Sequence, residues 1–216
     1  MYMVEEILQV PLGKHPQARE YLRTVQEGMA KHPGHIRSQV CTYGGNIRPH
    51  LFLQYWENAA GYESWSKSPA AAAIAGVRPG GLYTVQPGGK YWELLLETLG
   101  DSEGGSVNQG IMQVLDESKW GEFMEQRVQH DKNALENGGL VYVQAFKYVG
   151  EPLDKFFTPL TIAIIVRRKS REDYERSVIR GQAVEGKMVP AYKVLSPQLP
   201  HIAGIYDVYS EVAAGK

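Results

Sequence analysis

The sequence predicts an α+β fold in which two copies of one βαββαβ unit pack their antiparallel sheets against each other. The main observation is a strand-like segment that is written twice, as GHIRSQVCTYGG over 34–45 and as GLVYVQAFKYVG over 139–150. Further matches occur in the same order along both halves, among them ILQV at 7–10 and IMQV at 111–114. The ordered set of matches indicates an internal duplication.

The elements of the first copy follow from periodicity and from turn signals. Apolar residues at 18, 21, 22, 25 and 29 lie on one helix face, and Pro33-Gly34 is a typical helix end. Asn58 is a favourable N-cap, and Pro69 ends the helix that Asn58 begins. In chain order we predict a strand over 3–11, a helix over 16–32, strands over 35–43 and 49–57, a helix over 58–68 and a strand over 90–98.

This arrangement is the ferredoxin-like one, whose antiparallel sheet carries helices on one face and leaves the other face bare. One copy alone would expose an apolar sheet face, and a covalent pair can cover it as a pseudo-dimeric α+β barrel. We place the first repeat at 1–100, a polar, glycine-rich linker (DSEGGS) at 101–106 and the second repeat at 107–216.

The composition is that of a globular protein and excludes several classes. The 216 residues are 43% hydrophobic and 22% charged, and the formal net charge is −1. No basic field is present to attract nucleic acid or a membrane surface. No apolar run approaches the roughly 20 residues needed to cross a bilayer. The single cysteine, Cys41, excludes an intrachain disulfide, and with no secretory signal we expect a cytoplasmic protein.

The first half resembles the antibiotic-biosynthesis monooxygenase family of dimeric α+β barrels. The residues that carry the resemblance are HPGHIRSQV at 32–40 and FLQYWENAAGYESWSKSP at 52–69. The second copy matches only through the internal repeat, because Arg168 stands in the place of Trp56 and Ser177 in the place of Trp65.

The resemblance implies several activities, since the family includes cofactor-independent oxygenases of phenolic polycyclic substrates and haem-degrading enzymes. The haem degraders use an asparagine, a tryptophan and a histidine. Here Glu6 is near the asparagine position, Trp65 matches the tryptophan, and AAAAIAG at 70–76 occupies the place of the histidine. This difference is unfavourable to haem degradation of that type. We expect no cofactor, and haem binding remains an alternative.

Two residues are candidates for general-base catalysis. Glu6 shares strand parity with Val4 and Leu8, so its carboxylate lies on an otherwise apolar face, where burial would raise its pKa. The alternative is a position at the sheet end, where Glu6 reaches solvent. His50 is the second candidate, because an imidazole can act as acid or base near neutral pH.

Three aromatic residues are candidates for substrate binding. Tyr62 and Trp65 share one face of the second helix and could wall a pocket, and Trp56 alternates with His50 along the third strand. Packing in the core is the alternative for these side chains. His32, His35 and His50 could meet at a metal ion, but nothing in their spacing requires it, and we predict no metal site.

The leading interpretation is an oxidoreductase of the monooxygenase type that acts on an aromatic or polyketide-like small molecule. The pocket is expected mainly in the first repeat, because Glu6, Trp56 and Trp65 have no equivalents in the second. The alternative is a non-catalytic barrel that binds a small molecule or haem. Neither nucleic acid nor a membrane is expected as a partner, and pairing of the two-repeat chain as a homodimer is left open.

Overall fold

Both halves of the chain follow one order of elements: a strand, a long helix and two antiparallel strands. The computed structural model describes residues 1–43, 49–84, 88–153, 156–176, 191–195 and 204–215. The first copy contains β1 (Tyr2–Gln9), α1 (His15–Met29), β2 (His35–Tyr43), β3 (Pro49–Trp56), α2 (Ala59–Ser66), α3 (Pro69–Gly76) and β4 (Lys90–Leu99). The second contains β5 (Ser106–Val114), a 3-10 turn (Glu117–Lys119), α4 (Trp120–Glu136), β6 (Leu140–Tyr148), β7 (Thr161–Arg168), β8 (Tyr192–Val194) and β9 (Gly204–Ala213). The predicted α+β class with ferredoxin-like repeats is confirmed.

The strand pairings show that the two copies are equivalent residue by residue. Strands β1 and β3 are antiparallel, with Glu6 opposite Phe52. Strands β5 and β7 are antiparallel as well, with Gly110 opposite Ile164. A register shift interrupts β2 near its first residue, and the same shift occurs near the first residue of β6. Gly110 is therefore the structural equivalent of Glu6, in agreement with the match between residues 7–10 and 111–114.

Helix α1 packs one face on the sheet and ends earlier than predicted. Its buried residues Ala18, Leu22, Gln26 and Met29 recur at intervals of three and four, as one helix face requires. The helix ends at Met29 rather than at residue 32. The residues before β2 form turns instead, with Gly34 in the left-handed region at φ +82°.

A helix that the sequence reasoning did not predict follows α2. Pro69 ends α2 as expected, but it is also the first residue of α3. Proline is well placed there because its missing N–H would lack a helical partner in any case. The Ser68 side chain caps the new helix by accepting a hydrogen bond of 3.0 Å from the backbone N–H of Ala71. The alanine run that follows has high helix propensity.

The chain divides into two compact units, Met1–Trp92 with Val208–Lys216, and Glu93–Asp207. In the first unit β1 lies between β4 and β3, and β2 lies between β3 and β9. In the second unit β6 lies between β7 and β4, and β5 pairs with β7, β8 and β9. The domain boundary at 101–106 stays a prediction.

Each unit has its own apolar core. The core of the first unit joins the sheet to α1 and α2 and consists of Val4, Leu8, Leu22, Met29, Val40, Phe52, Trp56 and Trp65. The core of the second unit consists of Val114, Phe123, Leu140, Val143, Ala145, Ile162, Ile164 and Ala191. Among the described helices, none has the length and apolarity to cross a bilayer.

Hydrogen bonds to buried polar side chains attach the C-terminal part of β9 to the rest of the first unit. Ser210 Oγ donates a hydrogen bond of 2.6 Å to Gln26 Oε1, and Gln26 Nε2 donates one of 3.0 Å to the carbonyl of Ser38. Gln39 Nε2 donates to Glu211 Oε1 at 3.1 Å. The first unit therefore needs residues that the chain supplies only at its far end.

We predict that a fragment of residues 1–100 does not fold stably by itself. It lacks 208–213, so β2 loses β9 as one of its two neighbouring strands, and Gln26 and Gln39 lose their hydrogen bonds to Ser210 and Glu211. Circular dichroism and urea denaturation of the fragment should show no cooperative transition, while the full chain shows one. A monomeric 1–100 fragment that unfolds cooperatively would contradict the prediction.

Candidate active site

A pocket of about 190 Å³ lies in the first unit between the sheet and the helices that cover it. Strands β1 and β3 form its floor, and α1, α2 and the segment after α3 form its walls. The lining residues are Glu6, Leu8, Tyr21, Leu22, Val25, Phe52, Gln54, Tyr62, Trp65, Ser66, Arg78 and Tyr83. The sequence placed Glu6, Tyr62 and Trp65 at one site, and the structure brings these three together.

Glu6 is the acidic group of this pocket. Strand alternation turns it to the same face as Val4 and Leu8, which belong to the core, so its carboxyl is held against apolar side chains. Burial raises the pKa of Glu6, because the charged form loses its hydration. Gln54 Nε2 opposes this effect by donating a hydrogen bond of 3.1 Å to Glu6 Oε2. The result is a carboxylate that is fixed in direction and more basic than one in water.

Three phenols face the same space. Burial raises the pKa of Tyr62 and of Tyr83, and the neighbouring Glu6 carboxylate adds to both shifts. Burial also raises the pKa of Tyr21, although the cation of Arg78 lowers it in part. All three phenols therefore keep their protons at neutral pH. The Tyr62 hydroxyl is hydrogen-bonded to Tyr91, whereas Tyr21 and Tyr83 can donate hydrogen bonds to an oxygen atom in the pocket.

Trp65 is a pocket wall and a core residue at once. Only 6% of its surface is exposed, and it belongs to the apolar core of the first unit. Its ring stacks at 6.5 Å from Trp56 and meets His32 edge-on at 5.6 Å. The sequence reasoning treated pocket and core as alternatives, but one face of an indole can pack while the other lines a cavity.

Trp56 and His50 do not line this pocket, although both were predicted site residues. Trp56 is fully buried and supports the wall, with Tyr62 edge-on at 6.1 Å. His50 is fully buried at the other end of β3, where its Nε2 lies 3.1 Å from Nδ1 of His15. Burial first, and then the positive neighbours His15 and Arg19, lower the pKa of His50 to about 4. The structure therefore separates the two predicted bases.

The sequence reasoning missed the residues that come from outside the motif. Tyr21 lies on α1, and Arg78 and Tyr83 lie on the segment after α3. The guanidinium carbon of Arg78 lies 5.9 Å from the centre of the Tyr83 ring. The sequence PGGLYTVQPGG over 79–89 is rich in glycine and predicts a loop that could gate a pocket. This loop prediction is the sequence feature that could have pointed to Tyr83 as a pocket residue. Residues 85–87 of the segment lie outside the described residues.

The second repeat does not reproduce these groups where it is described. Gly110 takes the place of Glu6, and Arg168 takes the place of Trp56. Arg168 binds the end of α4 instead, because its Nη1 donates to the Gly138 carbonyl at 2.8 Å. Ser177, the counterpart of Trp65, lies outside the described residues.

The pocket therefore combines a positioned carboxylate, proton-bearing phenols, a cation and flat aromatic walls. A carboxylate with a raised pKa is suited to remove a proton from carbon or oxygen. Phenol O–H groups and a guanidinium are suited to stabilise the negative oxygen that such a step creates. The arrangement can hold a flat molecule and accept a proton from it.

The family comparison agrees with the resemblance read from the motifs. The model of the family described as antibiotic biosynthesis monooxygenase matches residues 1–76, which run from β1 to the end of α3 and carry most of the pocket lining. The predicted resemblance is therefore confirmed for the first repeat. No curated protein matches the chain.

Solved structures share the fold over the whole chain. A candidate monooxygenase of Fusobacterium nucleatum has a TM-score of 0.70 at 10% identity, over 99% of this chain and 94% of that chain. A candidate monooxygenase of Lactobacillus acidophilus has a TM-score of 0.67 at 11% identity, over 99% of this chain and 96% of that chain. An anthrone oxidase-like protein has a TM-score of 0.61 at 11% identity, over 100% of this chain and 94% of that chain. At these identities the likeness shows a common fold.

We predict that Trp65→Ala lowers the free energy of unfolding by about 3–5 kcal/mol, because it removes a buried indole that packs on Trp56. Trp65→Phe keeps an aromatic ring at the position and should lose clearly less. Urea denaturation of the two variants beside the parent chain measures both losses. A loss near 1 kcal/mol for Trp65→Ala would show that the indole is mainly a pocket wall.

We predict that His50 makes the protein sensitive to mild acid. The unfolded chain protonates this residue near pH 6.5, while the folded chain keeps it neutral down to about pH 4. Stability is therefore lost as the pH falls from 6.5 to 4, by at most roughly 3 kcal/mol at 1.4 kcal/mol per pKa unit. Urea denaturation between pH 4 and 8 should show a smaller acid loss for His50→Gln. Equal losses in both proteins would contradict the prediction.

Proposed function

We propose, from the premise that residues 1–76 form an antibiotic biosynthesis monooxygenase domain, that this chain is a monooxygenase of small aromatic molecules that needs no bound cofactor. The observation that carries the proposal is Glu6, a carboxyl with a raised pKa in a pocket walled by Tyr62 and Trp65. Its substrate has an acidic C–H or O–H next to a carbonyl, so that removal of one proton gives an electron-rich carbanion.

Glu6 accepts that proton. Its raised pKa makes it a stronger base than a solvated carboxylate, and general bases of this kind contribute about 10²–10⁴ to a rate. The hydrogen bond from Gln54 leaves the second carboxyl oxygen of Glu6 available to the substrate. The aromatic walls hold the substrate ring by stacking, so that the acidic hydrogen faces the carboxylate.

The negative charge then moves onto the carbonyl oxygen of the substrate. The protonated phenols of Tyr21 and Tyr83 can donate hydrogen bonds to this oxygen, and Arg78 supplies a positive charge at the same pocket. Groups that are already oriented stabilise this charge better than mobile water does. The pocket thereby favours the carbanion over the neutral substrate.

The carbanion is the reductant of dioxygen. For a CH₂ group next to a carbonyl, the carbon gives up two hydrogens and four electrons in total. One oxygen atom becomes the new carbonyl of the product, and the other leaves as water. The substrate thus supplies every electron, which is why no flavin or metal is needed in the proposed reaction.

The size of the pocket limits the substrate. Its volume of about 190 Å³ lies below the roughly 300–1,000 Å³ of pockets for drug-sized ligands. One or two fused rings match this volume, and a third ring would exceed it. A haem group is larger still, and neither histidine nor cysteine is among the described lining residues to ligate its iron.

The rival function is a barrel that binds a small molecule without reaction. In that case the half-buried carboxyl of Glu6 only orients a ligand, and removing its charge changes the affinity for that ligand. Haem binding is the third possibility. An absorbance scan of the protein with one equivalent of hemin tests it, because a shifted Soret band would show that haem binds.

The test compares the parent chain with Glu6→Gln in oxygen consumption. The two-ring ketone 2-tetralone is the probe, because its C1 methylene lies directly between the carbonyl and the aromatic ring. We expect turnover by the parent chain and a loss of about 10²–10⁴ in kcat for Glu6→Gln. The matched control is Glu20→Gln, which removes an exposed carboxylate of α1 and should leave turnover unchanged. Equal turnover by Glu6→Gln and the parent chain would exclude Glu6 as the base.

The same variant should be more stable than the parent chain at neutral pH. Because its pKa is raised on folding, Glu6 destabilises the fold as the pH rises above 4.5, the value in the unfolded chain. Glu6→Gln removes this loss, so the two proteins should differ at pH 7 and agree at pH 4. Thermal denaturation at both pH values checks this, and a less stable variant at pH 7 would contradict it.

A further inference from the structure

Arg78 is the cation of the Glu6 pocket. It follows the end of α3, and its backbone N–H donates a hydrogen bond of 3.2 Å to the carbonyl of Ala75. The residue is exposed, and it also lines the pocket. The end of a helix therefore fixes the place of this arginine, at the outer edge of the pocket, where solvent and ligand can both reach it.

The acid and the cation occupy different parts of this pocket. Glu6 is half-buried on β1, in the floor, and accepts a hydrogen bond from Gln54. Beyond the effect of burial, the Glu6 carboxylate raises the pKa of Tyr21 and of Tyr83, and the Arg78 guanidinium lowers both. The pKa of Glu6 itself is shifted by burial and by Gln54. The two phenols therefore lie between the base and the cation.

A substrate without charge gives this arginine little to bind. The wall beside it is apolar, because the chain has no charged side chain from Pro69 to Val77. The guanidinium carbon of Arg78 lies 5.9 Å from the centre of the Tyr83 ring, which attracts the cation through its face. An arginine has several N–H donors, so it can bind an oxyanion in addition to the contacts that it makes within the chain.

We propose that Arg78 binds a carboxylate of the substrate, so that the pocket selects aromatic ketones with an acidic substituent. The ketone part of this inference rests on the proposed oxygenase function, whereas the anion site does not. A planar guanidinium binds a carboxylate through parallel N–H···O bonds, and a carboxylic acid is ionised at neutral pH. The substituent lies across the ring from the acidic C–H, because Glu6 reaches that C–H while Arg78 holds the carboxylate.

Arg78 also offsets a repulsion. Glu6 must be ionised to act as a base, and its charge repels a second carboxylate in the same pocket. The guanidinium compensates the added negative charge at the outer edge. Without Arg78 an anionic substrate should therefore bind no better than a neutral analogue of the same shape. The preference for an acidic substrate depends on this one side chain.

The test uses two probes that differ in the charge of one substituent, 2-tetralone-6-carboxylic acid and its primary amide. In both, the substituent lies across the aromatic ring from the C1 methylene. For the parent chain kcat/KM should be roughly tenfold higher for the acid than for the amide. Arg78→Gln should lose this preference, and Arg78→Lys should keep part of it because the charge remains. The ratio between the probes cancels any effect of Arg78 on the carbanion, which both probes form.

The matched control is Arg23→Gln. It removes an exposed arginine of α1, which pairs with Glu27 at 3.7 Å and is not among the described lining residues. This variant should keep the preference of the parent chain. An acid-to-amide ratio that is the same in Arg78→Gln as in the parent chain, or a parent chain that favours the amide, would overturn the proposal.

Binding in the absence of oxygen separates this inference from the proposed reaction. Under nitrogen, both probes can be titrated by tryptophan emission, to which Trp65 in the pocket wall contributes. Added salt should weaken binding of the acid more than binding of the amide, because salt screens an exposed charge. Tighter binding of the acid without turnover in air would support the anion site and contradict the proposed reaction. Turnover of both probes with equal affinities would support the reaction and overturn the anion site.

Discussion

Strand β3 is buried along its whole length, and the functional groups of the first unit are arranged along one of its faces. His50 lies at its start next to His15. Gln54 lies in the middle and holds Glu6 in the pocket. Trp56 lies at its end, in edge-on contact with the rings of His32 and His35. Because a strand rises about 3.3 Å per residue, these groups are spread over about 20 Å and share a face without sharing a site.

The pocket depends on Glu6, whose charged form is unfavourable at its position in the sheet. Glu6 occupies a position at which the alternation of β1 calls for an apolar residue, between Val4 and Leu8. A carboxylate there loses hydration and recovers only part of it through Gln54. A carboxylate that lowers the stability of the fold and is a stronger base than one in water is what a catalytic role would require. In the proposed oxygenase reaction, this stronger base accepts the proton of the substrate.

The two repeats show how one backbone can support different chemistry. The pairing register is the same in both, down to the shift near the start of β2 and of β6. At the last position of β3, Trp56 packs beside the end of α1 with its ring. At the equivalent position of β7, Arg168 instead donates hydrogen bonds to carbonyls at the end of α4. Trp56 holds its helix on the sheet by packing, and Arg168 holds its helix by hydrogen bonds to carbonyls at the helix end. Only the tryptophan provides an aromatic surface beside the pocket.

The amino-acid sequence by itself determined the duplication, the class of fold and the acidic residue of the pocket. These follow from patterns that are local in the chain: alternation along β1, one apolar face on α1, and turn residues between strands. Alternation alone places Glu6 among core residues, whatever the rest of the chain does. Local signals did not predict α3, because a proline such as Pro69 can either end one helix or begin the next.

Only the tertiary structure decided which residues meet. Tyr21 and Arg78 reach Glu6 from elements that are distant in the chain, and no local pattern encodes that approach. His50 shares strand parity with Gln54, so parity could not separate it from the pocket, whereas distance along the strand and the contact with His15 do. Periodicity reports the face on which a side chain lies, but the depth of burial and the partners depend on how the helices are placed on that face. That placement comes from packing, which is non-local.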